Sequence, residues 1–336
     1  MDLSLVFLGT GGSVPTARRA TACVLVRRGG ERLLFDCCEG AQRQMHRSVG
    51  LVPIDEVFIT HYHADHYLGL PGLLRTYQLQ DRDRPLVIYG PPGLEDLFKS
   101  IRRIVGRPSY RLELVELEAG EAVRHDGYEI RSFPVEHGRV RAYGYALVED
   151  DRPGRFDPEA AAELGVAPGP DFGRLQRGEE VKGSDGTVRP EHVMGGNRPG
   201  RRVVISGDTM PCTETAAASR NADLLVHDGS FATEEADRAV ETGHSTARDA
   251  AILARAAGVR LLALVHVSSR YNVTDLLAEA REVVRTAVAP RDFDLVEVPF
   301  PERGEPKLIH RGALERGPHR PDDAGNPGGT GQPAGA

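Results

Sequence analysis

His61-Tyr62-His63-Ala64-Asp65-His66 puts three imidazoles and a carboxylate inside six residues. The segment follows Val57-Phe58-Ile59-Thr60, whose β-branched and aromatic residues read as a buried strand. Extended backbone alternates its side chains, so His61 and His63 share one side. Asp65 and His66 fall where the chain turns into Tyr67 to Gln80, a stretch that reads as mostly helical. One ligand pair from a strand end and a second from the turn suit two adjacent divalent metals better than one. Buried without metal, these groups would repel as cations or leave donors unpaired, which favours metal binding over a merely polar strand end.

His-x-His-x-Asp-His resembles the signature of the metallo-β-lactamase superfamily without a departure. That resemblance implies an α/β fold, a four-layer αββα sandwich with metals at one edge, where loops from both sheets meet.

A chain of 336 residues allows two average domains or one large one with insertions. Apolar content of 40% and charged content of 27% describe a soluble globular protein with ample core. No run approaches the ~20 apolar residues of a membrane span. Met1-Asp2-Leu3-Ser4 has no basic region ahead of its apolar stretch, so no signal peptide is expected. Cys23, Cys37, Cys38 and Cys212 lack the spacing of a disulfide framework or zinc knuckle and read as reduced thiols of a cytoplasmic protein. The formal net charge of -7 decides little about nucleic acid, because metal cations and arginine clusters dominate locally.

Leu3 to Leu8 reads as a strand ending in Gly9-Thr10-Gly11-Gly12-Ser13. No Gly-Lys-Ser/Thr follows, so this is not a P-loop, although close approach of its backbone to a metal site or phosphate stays open. Thr21 to Val26 and Arg32 to Phe35 form an expected hairpin, followed by Asp36-Cys37-Cys38-Glu39-Gly40 and a helix to about His46. Strands are expected at Leu86 to Tyr89, Arg111 to Glu116, Tyr128 to Val135 and Tyr143 to Val148, with a helix over Gly93 to Ile104. Between about Asp150 and Gly200 apolar periodicity disappears, Gly and Pro become frequent, and Arg152, Arg155, Arg174, Arg177, Lys182 and Arg189 recur. A long segment of this kind inside a domain is a functional excursion or a linker. Strands then resume at Arg202 to Ser206, Asp223 to Val226, Leu261 to Val265 and Phe293 to Val298. Ser245 is the expected cap of a helix through Ala257, and Asn272 to Val288 reads as helical. Residues 311–336 are rich in Gly, Pro, Asp and Ala and are expected to be disordered.

His137, Asp208 and His266 each follow an expected strand, and a sandwich of the kind implied would gather such ends at one edge. The assignment is His61, His63 and His137 for one zinc, and Asp65, His66 and His266 for a second. Asp208 bridges, since a carboxylate can offer an oxygen to each ion. Mostly imidazole ligands favour zinc over magnesium. Two such ions suit phosphodiester hydrolysis, since together they acidify a shared water and neutralise the phosphate. His244, in Gly243-His244-Ser245-Thr246, is the expected general acid, Asp228 its orienting partner, and Asp65 a further group that positions the water.

Phe7-Leu8-Gly9-Thr10-Gly11, His61–His66, Ser206-Gly207-Asp208-Thr209, Gly243-His244-Ser245-Thr246 and His266-Val267-Ser268-Ser269-Arg270-Tyr271 together resemble the ribonuclease Z family, which matures tRNA 3′ ends. The resemblance covers the chain to about residue 300. It implies that residues 151–199 are a flexible tRNA-gripping arm inserted in a 1–310 catalytic domain. Gly165, Pro168, Gly169, Pro170, Gly173, Arg174, Arg177 and Gly178 in the arm, with Arg270 outside it, are then substrate-binding residues. It further implies two zinc ions per subunit, precursor tRNA as substrate, and a homodimer in which each arm serves its partner. The family usually has His-Glu-Ala where this chain reads His227-Asp228-Gly229. It also usually has Arg-Asn in the early loop, where Arg18-Arg19-Ala20 stands here.

A related binuclear-zinc phosphodiesterase with a small substrate is the alternative, and would have no use for an arm. A non-catalytic RNA-binding module would have no use for the full ligand set and His244. The remaining histidines, His46, His125, His192, His310 and His319, read as surface or satisfied polar groups, and His227 as structural.

Overall fold

The computed structural model describes residues 1–311, so most of the expected disordered tail lies outside the described residues. Two mixed sheets face each other. In the eight-stranded sheet the order is Lys307–Ile309, Leu295–Glu297, Leu3–Gly9, Cys23–Arg28, Glu31–Phe35, Glu56–Phe58, Leu86–Gly90 and Leu112–Glu116. In the seven-stranded sheet it is Ala287–Val288, Leu261–Val265, Leu224–Asp228, Arg202–Ile205, Val140–Glu149, Tyr128–His137 and Ala122–His125.

Alternation along each strand assigns its side chains to layers. Leu3, Leu5 and Phe7 enter the core between the sheets, with Tyr145, Leu147, Val203 and Val226 facing them from the other sheet. Val6 and Leu8 point the other way, under Ala41–Ser48 and Gly69–Leu79. On the far side, Val204, Leu225 and Leu262 are covered by Ala247–Ala257 and Val273–Val283. The central strands of both sheets are therefore covered on both faces, which is the αββα arrangement, while Arg124, Arg131 and Arg141 stay exposed towards the Ala122–His125 edge.

The strand before the ligand turn is locked from behind. Phe58 stacks on Phe35 at 5.0 Å and on Tyr89 at 4.8 Å, while Tyr145 meets it edge-on at 5.4 Å from the opposite sheet. The Tyr145 hydroxyl donates to Ile59 O at 2.8 Å, fixing the backbone two residues before His61.

Several expectations needed adjustment. The helix expected over Tyr67 to Gln80 is two, Ala64–Tyr67 and Gly69–Leu79. Thr246, not Ser245, caps Ala247–Ala257 by accepting from Asp249 N at 3.0 Å; Ser245 Oγ instead donates to Thr209 O. The last long helix stops at Val283, leaving Ala287–Val288 as an edge strand, and Lys307–Ile309 adds a further strand.

Residues 151–199 differ most from their sequence appearance. They are not a structureless loop: three short helices, Pro158–Glu163, Pro170–Gln176 and Pro190–Val193, surround the hairpin Val181–Lys182/Thr187–Val188. Ala161, Val166, Leu175, Val181, Val188 and Val193 are buried together in a core separate from those of the sandwich, with Phe156 and Phe172 packed at its edge. These apolar residues stand singly between turns, so no period connects them along the chain. The basic residues of the segment are largely paired: Asp171 and Glu179 with Arg174, Glu179 with Arg177, and Glu180 with Arg189.

Candidate metal centre and its acid–base pair

The ligand turn is built by the strand Glu56–Phe58 ending early. His61 lies beyond it, His63 is the N-cap of Ala64–Tyr67, and Asp65 and His66 stand in that single helical turn. His137 is the last residue of Tyr128–His137, Asp208 lies beyond Arg202–Ile205, and His266 directly follows Leu261–Val265 with a left-handed φ of 58°. All seven expected ligands meet at one edge of the sandwich. They form two groups, His61/His63/His137 and Asp65/His66/Asp208/His266, with donor atoms within 4.8 Å of one another in each.

His63 Nδ1 lies 3.1 Å from His137 Nε2. Asp208 Oδ2 lies 3.2 Å from both His66 Nε2 and His266 Nε2, and 3.9 Å from His61 Nε2, so one carboxylate oxygen faces both groups. Asp65 Oδ2 is 3.5 Å from His66 Nε2 and 3.4 Å from His266 Nε2.

A second ring of partners, absent from the sequence reading, aims these imidazoles. His66 Nδ1 donates to Asp36 Oδ2 at 2.8 Å, and Asp36 Oδ1 accepts from Thr60 N at 2.8 Å. His137 Nδ1 donates to Gly243 O at 2.7 Å. His266 Nδ1 lies 2.8 Å from Ser230 Oγ, whose proton goes to Asp228 Oδ1 at 2.6 Å. Fixing one ring nitrogen as donor leaves the other as a bare lone pair pointing inward. A signal for Asp36 was available, since an acid at the end of a buried strand needs a partner. Nothing in the sequence marks the Gly243 carbonyl.

The donor set fits divalent metal. His61 Nε2 and His66 Nε2 are buried and make no hydrogen bond. Burial, then the neighbouring His66, pushes His61 well below the usual imidazole range; burial, then His137, lowers His63. Both are thus neutral, as ligation requires. Burial also opposes a charge on His66, yet Asp208 and Asp36 outweigh it and raise that imidazole well above its ordinary value. Burial opposes the Asp208 charge too, but His266 and His66 hold it well below the carboxylate range. A positive charge is therefore favoured between His66 and Asp208.

His244 stands beside this cluster, 4.9 Å from the His266 ring and 4.8 Å from that of His137, centroid to centroid. Its Nδ1 donates to Asp228 Oδ2 at 2.7 Å. Burial pulls His244 down, but the buried Asp228 charge and hydrogen bond prevail and lift it to about 9. The shorter Asp228 side chain does not cost the pair: its other oxygen is held by Ser230 N at 3.0 Å, which turns Oδ2 towards His244.

The glycine-rich turn after Leu3–Gly9 makes the close approach that the sequence left open. Ser13 N donates to Asp65 Oδ2 at 3.0 Å. A Cβ on Gly12 would sit 2.7 Å from His266 O and 2.8 Å from the His266 ring, so any side chain there would displace a ligand. In the early loop, Arg19 Nη1 donates to Pro290 O at 3.0 Å and also reaches Thr10, so its guanidinium is tied to the body of the protein.

A hollow of about 300 Å³, lined by Ser13, Phe231, Arg238, His244, His266 and Arg270, opens from the cluster. Arg270 is 3.8 Å from Glu235 at its rim. Gly165, Pro168, Gly169, Pro170, Gly173, Arg174, Arg177 and Gly178 lie elsewhere, in and around Pro170–Gln176 of the inserted segment. Among the described residues, none of them bonds to the cluster. His227 is buried with Nδ1 donating to Asp228 O at 2.8 Å, and His125 lies against Glu56 at 3.4 Å; neither joins the site.

The described cluster has relatives. The model of the beta-lactamase superfamily domain matches residues 31–158 and 192–267, on either side of most of the inserted segment. Ribonuclease Z of Haloferax volcanii is 51% identical over 306 residues, covering 89% of this chain and 96% of that one. Ribonuclease Z of Myxococcus xanthus is 49% identical over 305 residues, covering 90% and 99%. Among solved structures, the short form of human tRNase Z aligns with a TM-score of 0.63 at 25% identity, over 88% of this chain and 99% of that one.

Proposed function

The chain belongs to the ribonuclease Z family of the beta-lactamase superfamily, and from that premise we propose that it is the endoribonuclease that removes the 3′ trailer from tRNA precursors. Cleavage leaves a 3′-hydroxyl on the tRNA and a 5′-phosphate on the trailer. The observation that carries the reading is the juxtaposition of His244, paired to Asp228, with two clusters whose His61 Nε2 and His66 Nε2 are buried and unsatisfied.

His61, His63 and His137 would hold one zinc ion, Asp65, His66 and His266 another, with Asp208 shared. When bound, such a pair acidifies a water and neutralises phosphate charge. The chain's own residues do the rest. Asp65, steadied by Ser13 N, stands where it can accept a hydrogen bond from an attacking water. His244, charged near neutrality because of Asp228, keeps a proton on Nε2 for the departing 3′ oxygen. After that transfer the imidazole stays held by Asp228, ready to be reprotonated. Arg270, at the rim of the hollow, supplies a cation for a flanking phosphate.

The inserted segment serves as an arm that grips the tRNA body, and two chains form a homodimer in which each arm serves its partner's site. Supporting this, the arm has its own core, and among the described residues Arg174 and Arg177 bond within the arm rather than to the cluster of their own chain. Among the described residues no helix is long and apolar enough to cross a membrane. The decisive experiment is incubation of the zinc-loaded protein with a precursor tRNA carrying a 3′ trailer, with the cut mapped to the nucleotide. Cleavage of bis(p-nitrophenyl) phosphate without any cut in the precursor would instead indicate a small-substrate phosphodiesterase.

A further inference from the structure

The inserted segment leaves and rejoins the sandwich through a narrow stalk. Arg152 and Arg198 bond reciprocally, each N–H donating to the other's carbonyl at 2.8 Å, and Phe156 and Met194 form a second bridge beyond them. Two strands so short have little stiffness of their own.

A carboxylate from a distant part of the chain closes across the base of this stalk. Glu302, in the turn Pro301–Arg303 after the first sheet's strand Leu295–Glu297, receives Arg152 in a bidentate fork, Nη1 to Oε1 at 2.8 Å and Nη2 to Oε2 at 3.0 Å. Arg198 Nη1 reaches the same Oε1 at 3.1 Å. One carboxylate thus joins both legs of the stalk to the sandwich. The arginines are also tied across the stalk: Arg198 Nε donates to Pro153 O at 3.1 Å, and Arg152 Nη2 to Pro199 O at 3.3 Å. Beneath them, the Arg152 guanidinium lies 3.5 Å from the Phe300 ring centroid, and buried Arg201 lies 4.0 Å from that same ring.

We propose that Glu302 is a positioning residue for precursor binding, a clamp that sets the direction in which the arm leaves the sandwich. The assignment rests on the arm reading above. A partly exposed ion pair contributes modestly to global stability, but a planar fork fixes orientation as well as distance. The arm's core is independent of the sandwich cores, so a small change of angle at its base displaces its far end in proportion to its length. Loss of the clamp therefore broadens the arm's distribution of directions, and fewer molecules present it correctly to tRNA. Affinity falls by the fraction of chains so arranged.

The test compares three zinc-loaded proteins, wild type, Glu302→Ala and one with residues 156–194 replaced by a Gly/Ser linker. Each is assayed on precursor tRNA and on bis(p-nitrophenyl) phosphate. The expected result is a KM for precursor raised roughly three- to tenfold in Glu302→Ala, with kcat and small-substrate hydrolysis unchanged, since a binding-competent fraction enters the apparent affinity alone. The conservative Glu302→Asp, which keeps the charge, should recover part of the loss. If the linker protein shows a raised KM but Glu302→Ala does not, the clamp is overturned while the arm reading stands. If the linker protein binds precursor as well as wild type, the arm reading fails and the clamp with it. A fall in small-substrate hydrolysis in Glu302→Ala would also overturn the proposal, because the residue would then act through the catalytic fold.

Discussion

Asp36 Oδ2 accepts a 2.8 Å hydrogen bond from His66 Nδ1; Asp36 directly follows the strand Glu31–Phe35, and His66 stands in the helical turn Ala64–Tyr67 beyond the neighbouring strand Glu56–Phe58. The bond sets the His66 tautomer and leaves Nε2 facing Asp208. Partners in this position are generally worth 10–100-fold in metal affinity. Asp36→Asn, which tolerates the local φ of 55°, should lose zinc to a competing chelator at roughly ten- to a hundredfold lower chelator concentration. Unchanged zinc retention would show that Thr60 and packing suffice to hold His66.

Metal content gives the second expectation. Purified protein should hold about two zinc ions per chain, given the two donor groups. His63 is exposed, so its removal opens no cavity in the core. His63→Ala should abolish phosphodiester hydrolysis and lower zinc content while leaving the far-UV circular dichroism spectrum intact. Full activity in that variant would remove the binuclear assignment.

Proton donation is separable from site integrity by the leaving group. His244→Ala should slow precursor cleavage by on the order of 10²–10⁴, because an alkoxide leaves poorly without a proton. p-Nitrophenolate departs readily by itself, so bis(p-nitrophenyl) phosphate hydrolysis should suffer far less. Asp228→Asn should follow the same pattern more weakly, since Oδ2 lies 2.7 Å from His244 Nδ1. Equal losses on the two substrates would make His244 a structural member of the site.

Stability should depend on pH through Glu56. Burial lifts its carboxyl from 4.5 to about 7; a hydrogen bond from Tyr89 opposes this, while Glu31 and Asp55 add to it. Between these values the folded chain holds a proton that the unfolded chain has released. Stability is thus complete below the lower value, falls as pH rises through the window, and levels off above about 7. Glu56→Gln should remove this fall and raise the melting temperature near pH 8, by an amount worth at most roughly 3 kcal/mol. A wild-type melting temperature that stays flat from about pH 5 to 8 would contradict the assignment.

A mixing experiment tests whether the inserted segment of one chain serves the site of another. Chains lacking residues 156–194 but catalytically intact would be paired with His63→Ala chains that keep their arms. If each arm serves the partner's site, the mixture should regain precursor cleavage that neither parent shows. Wild-type affinity should also fall steeply with salt as phosphate contacts release counterions, and the linker protein should show a shallower slope. Arg174 and Arg177 must first exchange Glu179 for phosphate, which limits what each contributes.

Local chemistry carried much of this into the sequence. His61 through His66 were legible as ligands because six consecutive residues set their mutual geometry whatever surrounds them. The four-layer sandwich came from the family resemblance of that motif, and His137, Asp208 and His266 could be nominated because each follows an expected strand. The glycine-rich turn left open a close approach to a metal site or a phosphate, and the fold brings it against the candidate ligand His266.

Tertiary structure decided whatever depends on the other end of a contact. Asp36, Ser230 and the Gly243 carbonyl aim the imidazoles across separations that no local pattern encodes. Ser230 also decides that Asp228, despite lacking a methylene, still reaches His244. In the arm, single apolar residues between turns have no period to detect, and only their convergence makes a core. Glu302 looks like an ordinary acid in a terminal turn until the chain brings Arg152 and Arg198 to the same carboxylate. A sequence fixes which groups are available and how neighbours along the chain are spaced, whereas the partner that gives a buried donor or an exposed charge its role is chosen by the fold.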